Sequence, residues 1–250
     1  MAVIIAVTNH KGGVAKTSSV SAIGSIFAAS GNKVLMLDLD TQANLTYSFI
    51  DPAAGLPERC LFDAVRERRD LPQVCIKENL YIVPCGLEMA LVESDMFNAK
   101  RREYILQDLI RPVAGQYDVI FLDCPPSLGI MTLNALTIAD RVLVPMHADQ
   151  LSYYGLKMMV GYLELQHDLN PDLRVDDIFF THYDSREKQT KNVEALVREE
   201  FGDAVLKSVI RKNVSIGEAV TNLCSVIDYK PDSNGAQDYL SLAKELKGRL

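Results

Sequence analysis

A five-residue apolar run, Val3–Val7 (VIIAV), is separated from a helix-length segment beginning near Thr17 by the stretch Asn9-His10-Lys11-Gly12-Gly13-Val14-Ala15-Lys16-Thr17-Ser18. An uninterrupted apolar run of that length is expected of a strand buried on both faces. A strand, a glycine turn and a helix in that order constrain a chain strongly. Two adjacent glycines let the backbone turn tightly with its N–H groups aimed inward, and the helix start adds partial positive charge. Lys16 supplies a full charge and Thr17 a hydroxyl for a metal ion, so the spacing implies a cradle for phosphate. The strict pattern GxxxxGK[ST] is not met, because His10 and Ala15 stand in its two glycine positions. A methyl at position 15 is tolerable where φ is negative. A positive φ there would strain the loop and weaken nucleotide affinity or turnover.

The rest of the chain alternates short β-type runs with helix-length periodic segments. Further strands are expected at Lys33–Asp38, Leu80–Pro84, Val119–Asp123, Val142–Pro145 and Ile178–Thr181. Helices are expected over Thr17–Ser30, near Glu88–Leu109, and over Ile130–Ala139, Tyr153–His167, Thr190–Phe201 and Gly235–Leu246, with Asp51–Pro57 as a loop. That rhythm predicts an α/β fold with a mostly parallel twisted sheet flanked by helices, in one domain over residues 1–250. With 48% apolar and 24% charged residues the chain is globular in composition, which excludes disorder as its main state. Its 26 Lys and Arg against 33 Asp and Glu give a net charge of −7. Bulk charge therefore does not draw it to nucleic acid or acidic membranes, and such binding needs a local patch. No apolar run approaches a membrane span. No basic segment precedes the first apolar run, and Asn9, His10 and Lys11 follow it instead of a cleavage site, so no signal peptide is expected. The five cysteines are scattered, without a C-x-x-C pair, which predicts a reducing cytoplasm.

Carboxylates stand at two further strand ends. In Leu37-Asp38-Leu39-Asp40 alternation places Asp38 and Asp40 on one face, at the end where open parallel sheets bind ligands. A solvated strand end with an Asx turn is the plainer reading. In Phe121-Leu122-Asp123-Cys124-Pro125-Pro126-Ser127, Asp123 follows a buried strand. It is placed to hold Mg²⁺ through water while Thr17 binds the ion directly; a helix cap is the alternative. Cys124 is expected to be a small buried neighbour.

Two lysines in the loop are one more than a simple cradle needs. Here the sequence resembles the ParA/MinD family of ATPases, P-loop proteins with the "deviant" Walker A loop K-G-G-x-G-K-[ST]. Lys11-Gly12-Gly13-Val14-Ala15-Lys16-Thr17 matches it except at Ala15. Asp38 to Asn44 resembles the family's D-x-D-P-Q-x-N, with Thr41 for Pro, and Asp123 to Ser127 matches its D-x-P-P-S. The resemblance implies ATP and Mg²⁺ as ligands of Lys11 to Ser18 and Asp123, with Thr17 and Asp123 on the metal. It implies that Lys11 reaches across a nucleotide-sandwich homodimer to the partner's ATP, and that Asp40 orients the attacking water. Thr181–Arg186 and Ser208–Val214 resemble the loops lining the adenine site and the nearby DNA-binding face, and Ile216–Ala219 resembles the family as well. On that face Arg186, Lys188, Lys191, Arg211 and Lys212 can form a patch for non-specific DNA. Seven basic against six acidic residues between His182 and Lys212 make it weak by arithmetic. The implied function is a slow ATPase of plasmid or chromosome partition, cytoplasmic and nucleoid-associated, stimulated by a ParB-like partner. No membrane targeting is expected, because the chain stops directly after its last helix. An N-terminal helix-turn-helix is not expected either, with the first strand beginning at Val3. Two other functions use the same loop. One is an ATP-dependent scaffold positioning another cargo, as MinD-like proteins do. The other is an iron-protein-like reductase or metal chaperone, which would need paired cysteines set beside glycines; Cys60, Cys75 and Cys85 do not make such a set.

Overall fold

The computed structural model describes residues 2–250. Its strands are β1 (Val3–Val7), β2 (Val34–Asp38), β3 (Val74–Lys77), β4 (Leu80–Val83), β5 (Val119–Asp123), β6 (Arg141–His147), β7 (Val175–Tyr183) and β8 (Val205–Arg211). They form one eight-stranded sheet in the order β3-β4-β2-β5-β1-β6-β7-β8. Every pairing is parallel except the β3–β4 hairpin at one edge. The helices are α1 (Lys16–Ala29), α2 (Asn44–Tyr47), α3 (Leu61–Glu67), α4 (Met89–Met96), α5 (Ile105–Ala114), α6 (Ile130–Ile138), α7 (Gln150–Leu165), α8 (Lys188–Phe201), α9 (Val214–Thr221), α10 (Val226–Tyr229) and α11 (Asn234–Lys247).

Strand alternation divides the apolar residues between two cores. Leu35, Leu37, Ile120 and Leu122 face α3 to α8, while Val34, Met36, Val119 and Phe121 face α1, α9, α10 and α11. Parallel strands covered on both faces must read as continuous apolar runs, and the central strands do. On the α1 side Phe27 meets Phe121 edge to face, with ring centroids 5.7 Å apart. Gly24 lets the helix lie close, since a Cβ there would meet Met36 Sδ at 2.8 Å.

The architecture matches the sequence expectation, with local differences. The segment 88–109 is not one helix: α4 stops at Met96, Arg101 takes a left-handed φ of 54°, and α5 restarts at Ile105. Two edge strands, β3 and β8, lie outside the expected set. β3 has no buried position, and β8 buries Val205, Leu206 and Ile210 but interrupts them with Lys207 and Ser208, so neither carries the apolar run that marks a central strand. A single 3₁₀ turn, Pro52–Ala54, interrupts the expected loop 51–57.

Candidate functional site

The C-terminal ends of β1, β2 and β5 converge on one cleft. Val7 is in register with Asp123, and Asp38 with Asp123. The phosphate loop leaves β1 and enters α1 at Lys16. Gly13 has φ +73° and Ala15 φ 68°, so two loop residues are left-handed and only one is a glycine. The methyl at position 15 is therefore carried in the conformation that the sequence reading marked as strained. Gly12 and Gly13 have no atom within 4 Å of where a Cβ would stand, and both are exposed at the mouth of the loop.

Gly12, Gly13, Ala15, Lys16, Thr17, Ser18 and Asp40 line a cleft of about 660 Å³. Thr181, His182, Ile210, Lys212, Asn213 and Val214 line it as well, so the two C-terminal segments singled out by sequence meet in the same cleft as the loop. Val14 is buried and its carbonyl accepts from Thr181 Oγ1 at 3.2 Å. The Lys16 ammonium donates to the carbonyls of Asn9 (3.1 Å) and Lys11 (3.2 Å). Burial pulls its pKa below the usual value, and the nearby Asp123 offsets part of that.

Asp123 is 1% exposed, and neither of its carboxylate oxygens accepts a hydrogen bond of good geometry, although the Thr17 hydroxyl is near enough to oppose the rise in its pKa. Burial, with Asp38 close by, pushes its carboxyl well above the usual range. A buried carboxylate without partners is unfavourable unless a cation or proton reaches it. Asp123 beside the Thr17 hydroxyl thus fits a divalent metal. It does not act as a helix cap: α6 begins at Ile130 with Gly129 as its cap residue.

Asp38 and Asp40 have parted. Asp38 is fully buried and accepts from the Thr46 amide (2.8 Å), the Thr46 hydroxyl (2.7 Å) and the Asp40 amide (3.1 Å). Burial pushes its carboxyl up to about 6 against those bonds. Asp40 lies past the strand end. It closes an Asx turn on the Gln42 amide at 3.0 Å and lines the cleft. The turn and the cleft position therefore coexist.

Lys11 points away from the cleft lining. Its ammonium contacts both oxygens of Asp149 (3.0 and 2.8 Å) and Ser152 Oγ (3.0 Å). Asp149 caps α7 through the Ser152 amide at 2.8 Å. Burial pushes the Asp149 carboxyl up, but Lys11 and the Ser152 amide outweigh it and hold it below the usual range. His147, whose ring centroid is 4.6 Å from that of His182, places Nδ1 3.7 Å from the same carboxylate. Sequence reasoning missed Asp149. The pattern Asp-x-x-Ser ahead of a helix signals a cap, but nothing local signals a contact with a lysine 138 residues away.

The five predicted DNA-contacting side chains are exposed, but their charges differ. Arg186 is paired with Asp184 at 2.6 Å and Arg211 with Asp238 at 2.6 Å. Among the described residues Lys188, Lys191 and Lys212 have no carboxylate within ion-pair distance. Of the cysteines, Cys85 does stand beside a glycine, Gly86, yet it is buried, and burial pushes its thiol well above the usual range. Cys124 is buried as well.

A central parallel sheet, a left-handed glycine turn into a helix, a buried lysine and an orphaned carboxylate on the neighbouring strand define a P-loop nucleoside triphosphatase. Residues 2–175 match the family profile described as "AAA domain". The chain is 37% identical over 251 residues to the sporulation initiation inhibitor protein Soj of Bacillus subtilis (strain 168), covering 98% of each chain. It is 33% identical over 254 residues to the chromosome partitioning protein ParA of Caulobacter vibrioides (strain NA1000 / CB15N), covering 98% of this chain and 94% of that one. Among solved structures, cobyrinic acid a,c-diamide synthase from Mycobacterium smegmatis with bound ATP analog and magnesium superposes with a TM-score of 0.84 at 30% identity, over 99% of this chain and 95% of that one. The chain belongs to the ParA/MinD family of ATPases. Among the described residues no helix is long and apolar enough to cross a membrane.

Proposed function

We propose that this protein is a ParA-type partition ATPase. In this reading residues 1–250 act as one ATPase unit that dimerises around ATP and binds duplex DNA without sequence preference in that state. It releases DNA after hydrolysis stimulated by a ParB-like partner, and it works on the nucleoid in the cytoplasm. ATP and Mg²⁺ are its ligands, and it hydrolyses ATP. The observation that carries the reading is the pair of partnerless oxygens on buried Asp123, beside a buried Lys16 at the head of α1.

The roles follow from position. Lys16 and the amides of Gly12 to Ser18 hold the phosphates. Thr17 and Asp123 would hold Mg²⁺, which would supply positive charge against the phosphates. In this reading Asp40, half-buried and lining the cleft, orients a water and does not grip the nucleotide. Lys11 has a different task. Within its own chain it is engaged by Asp149, so reaching the partner's nucleotide requires it to exchange that carboxylate for phosphate. DNA contact rests on Lys188, Lys191 and Lys212 more than on Arg186 and Arg211, whose charges are already compensated.

Gel filtration with and without Mg²⁺-ATP tests the reading. The parent protein should shift to a dimer with ATP. Lys16→Ala should bind no nucleotide, because it removes the charge facing the phosphates. Lys11→Ala should bind ATP and remain monomeric. A dimer that persists in the Lys11→Ala variant contradicts the cross-interface role.

A further inference from the structure

The left-handed alanine in the phosphate loop is held from the far end of the chain. The Ala15 carbonyl accepts two hydrogen bonds, one from the Ser19 amide at 3.0 Å and one from Ser19 Oγ at 2.6 Å. Ser19 Oγ lies 3.1 Å from the hydroxyl of Tyr239, which α11 brings in from 220 residues away. Both side chains are fully buried. A serine hydroxyl has one proton. Since that proton is directed at Ala15, Tyr239 is the donor to Ser19. The result is a directional relay from Tyr239 O–H to Ser19 Oγ, and from Ser19 O–H to the Ala15 carbonyl. Burial pushes the Tyr239 hydroxyl far above its usual pKa, so it stays a donor at any working pH.

The carbonyl so gripped belongs to the peptide that joins Ala15 to Lys16. A trans peptide is planar, with C=O and N–H pointing in opposite directions. Fixing the Ala15 carbonyl along α1 therefore fixes the Lys16 N–H toward the loop mouth, where it is one of the amides available to phosphate. Ala15 has no side-chain cap of its own, and its φ of 68° and ψ of 31° are those a glycine adopts freely and an alanine does not. A residue under that strain stays in place only when its surroundings over-determine it. Backbone hydrogen bonding by a helical serine to the carbonyl four residues back is common. Here the acceptor is the strained cap residue itself, and a buried tyrosine polarises the donor.

We propose that Tyr239 is a positioning residue of the phosphate loop: acting through Ser19, it holds Ala15 in the left-handed conformation and aims the Lys16 amide at the nucleotide. The inference rests on the ATPase reading and assigns the last helix a part in nucleotide affinity. Its test is a double-mutant cycle on the full chain. Mg²⁺-ATP affinity is measured by calorimetry for the parent, Tyr239→Phe, Ala15→Gly and the double variant, each verified as folded by circular dichroism. Tyr239→Phe keeps the ring and removes only the donor. It should weaken affinity about 5-fold with alanine at position 15, the scale of one hydrogen bond, and less than about 2-fold in the Ala15→Gly background. Ser19→Ala should reproduce the same dependence on position 15. Equal losses in both backgrounds would make Tyr239 an ordinary packing residue and overturn the proposal, as would no loss in either. A parent that binds no ATP overturns the ATPase reading and the proposal together. That result is told apart from the others because it appears before any substitution is made.

Discussion

Single side chains decide how the phosphate loop behaves, and Ala15 is the clearest case. A left-handed alanine is strained by about 1 kcal/mol relative to glycine. Ala15→Gly should therefore raise the unfolding free energy of the nucleotide-free protein by about that amount, read as a shift of the urea midpoint at unchanged slope. A lower midpoint would mean that the methyl packs favourably enough to outweigh its backbone strain. Lys11 offers a second test. Its pair with Asp149 is about two-thirds shielded, with 29% and 31% side-chain exposure, and a charge-assisted bond of that kind contributes about 1 kcal/mol. Asp149→Asn keeps a good cap on α7 and discards the charge. It should lower the protein concentration needed for the ATP-dependent dimer about 25-fold in sedimentation velocity, since each dimer is freed of two such restraints, about 2 kcal/mol in all. An unchanged dimerisation curve would show that the pair does not compete with assembly.

At the level of elements, buried Thr46 joins three pieces. Its hydroxyl donates to Asp38 on β2 at 2.7 Å and accepts from the Cys85 amide after β4 at 2.9 Å, from a place on α2. Thr46→Val strands a buried amide and removes one bond to a buried carboxylate, and should destabilise the protein by about 2–3 kcal/mol. Thermal unfolding checks this; a loss within error would mean that water replaces the hydroxyl. The same carboxylate sets a pH dependence. The Asp38 pKa is raised in the folded state from 3.8 to about 6. Its contribution to stability is present below pH 3.8 and is lost as pH rises through about 6. Its share of the melting temperature should therefore fall across that window, and Asp38→Asn should flatten the profile there. A profile unchanged by the substitution contradicts the shift. These elements also show what the sequence made legible. The runs VIIAV, VLMLD and VIFLD announce buried parallel strands, and the residues just past them announce the site. The hairpin strand β3 is half-buried, and edge strand β8 breaks its buried residues with Lys207 and Ser208, so periodicity is silent about them. The turn at Arg101, with its left-handed φ of 54°, is set by tertiary packing and has no glycine or proline to mark it. Asp149 and Tyr239 escape for a different reason: each acts on the phosphate loop through a contact between distant parts of the chain.

Across the whole molecule, the proposed DNA binding has to coexist with a net charge of −7, which requires a few uncompensated cations brought together by assembly. Arg211→Glu would set a carboxylate against Asp238 and disturb β8 and α11 as well as the surface. Lys188→Glu with Lys191→Glu and Lys212→Glu is the cleaner reversal. It should abolish DNA retention and leave ATP-dependent dimerisation intact; retention in the triple variant would place the DNA surface elsewhere. In the proposed function ATP assembles a DNA-binding dimer whose lifetime Asp40 controls by hydrolysis, whereas Asp123 controls nucleotide binding through the metal. Loss of a water-orienting group slows such chemistry by about 10²-fold or more. Asp40→Ala should therefore keep its affinity for Mg²⁺-ATP and accumulate as the ATP-bound dimer. The most direct measurement is retention of Asp40→Ala on a duplex DNA of arbitrary sequence, with Mg²⁺-ATP against Mg²⁺-ADP over a salt series. Retention is expected with ATP alone, falling steeply with salt as phosphate contacts are screened. Retention that ignores the nucleotide, or none with ATP in a variant that still binds it, would contradict ATP-dependent DNA binding by this protein.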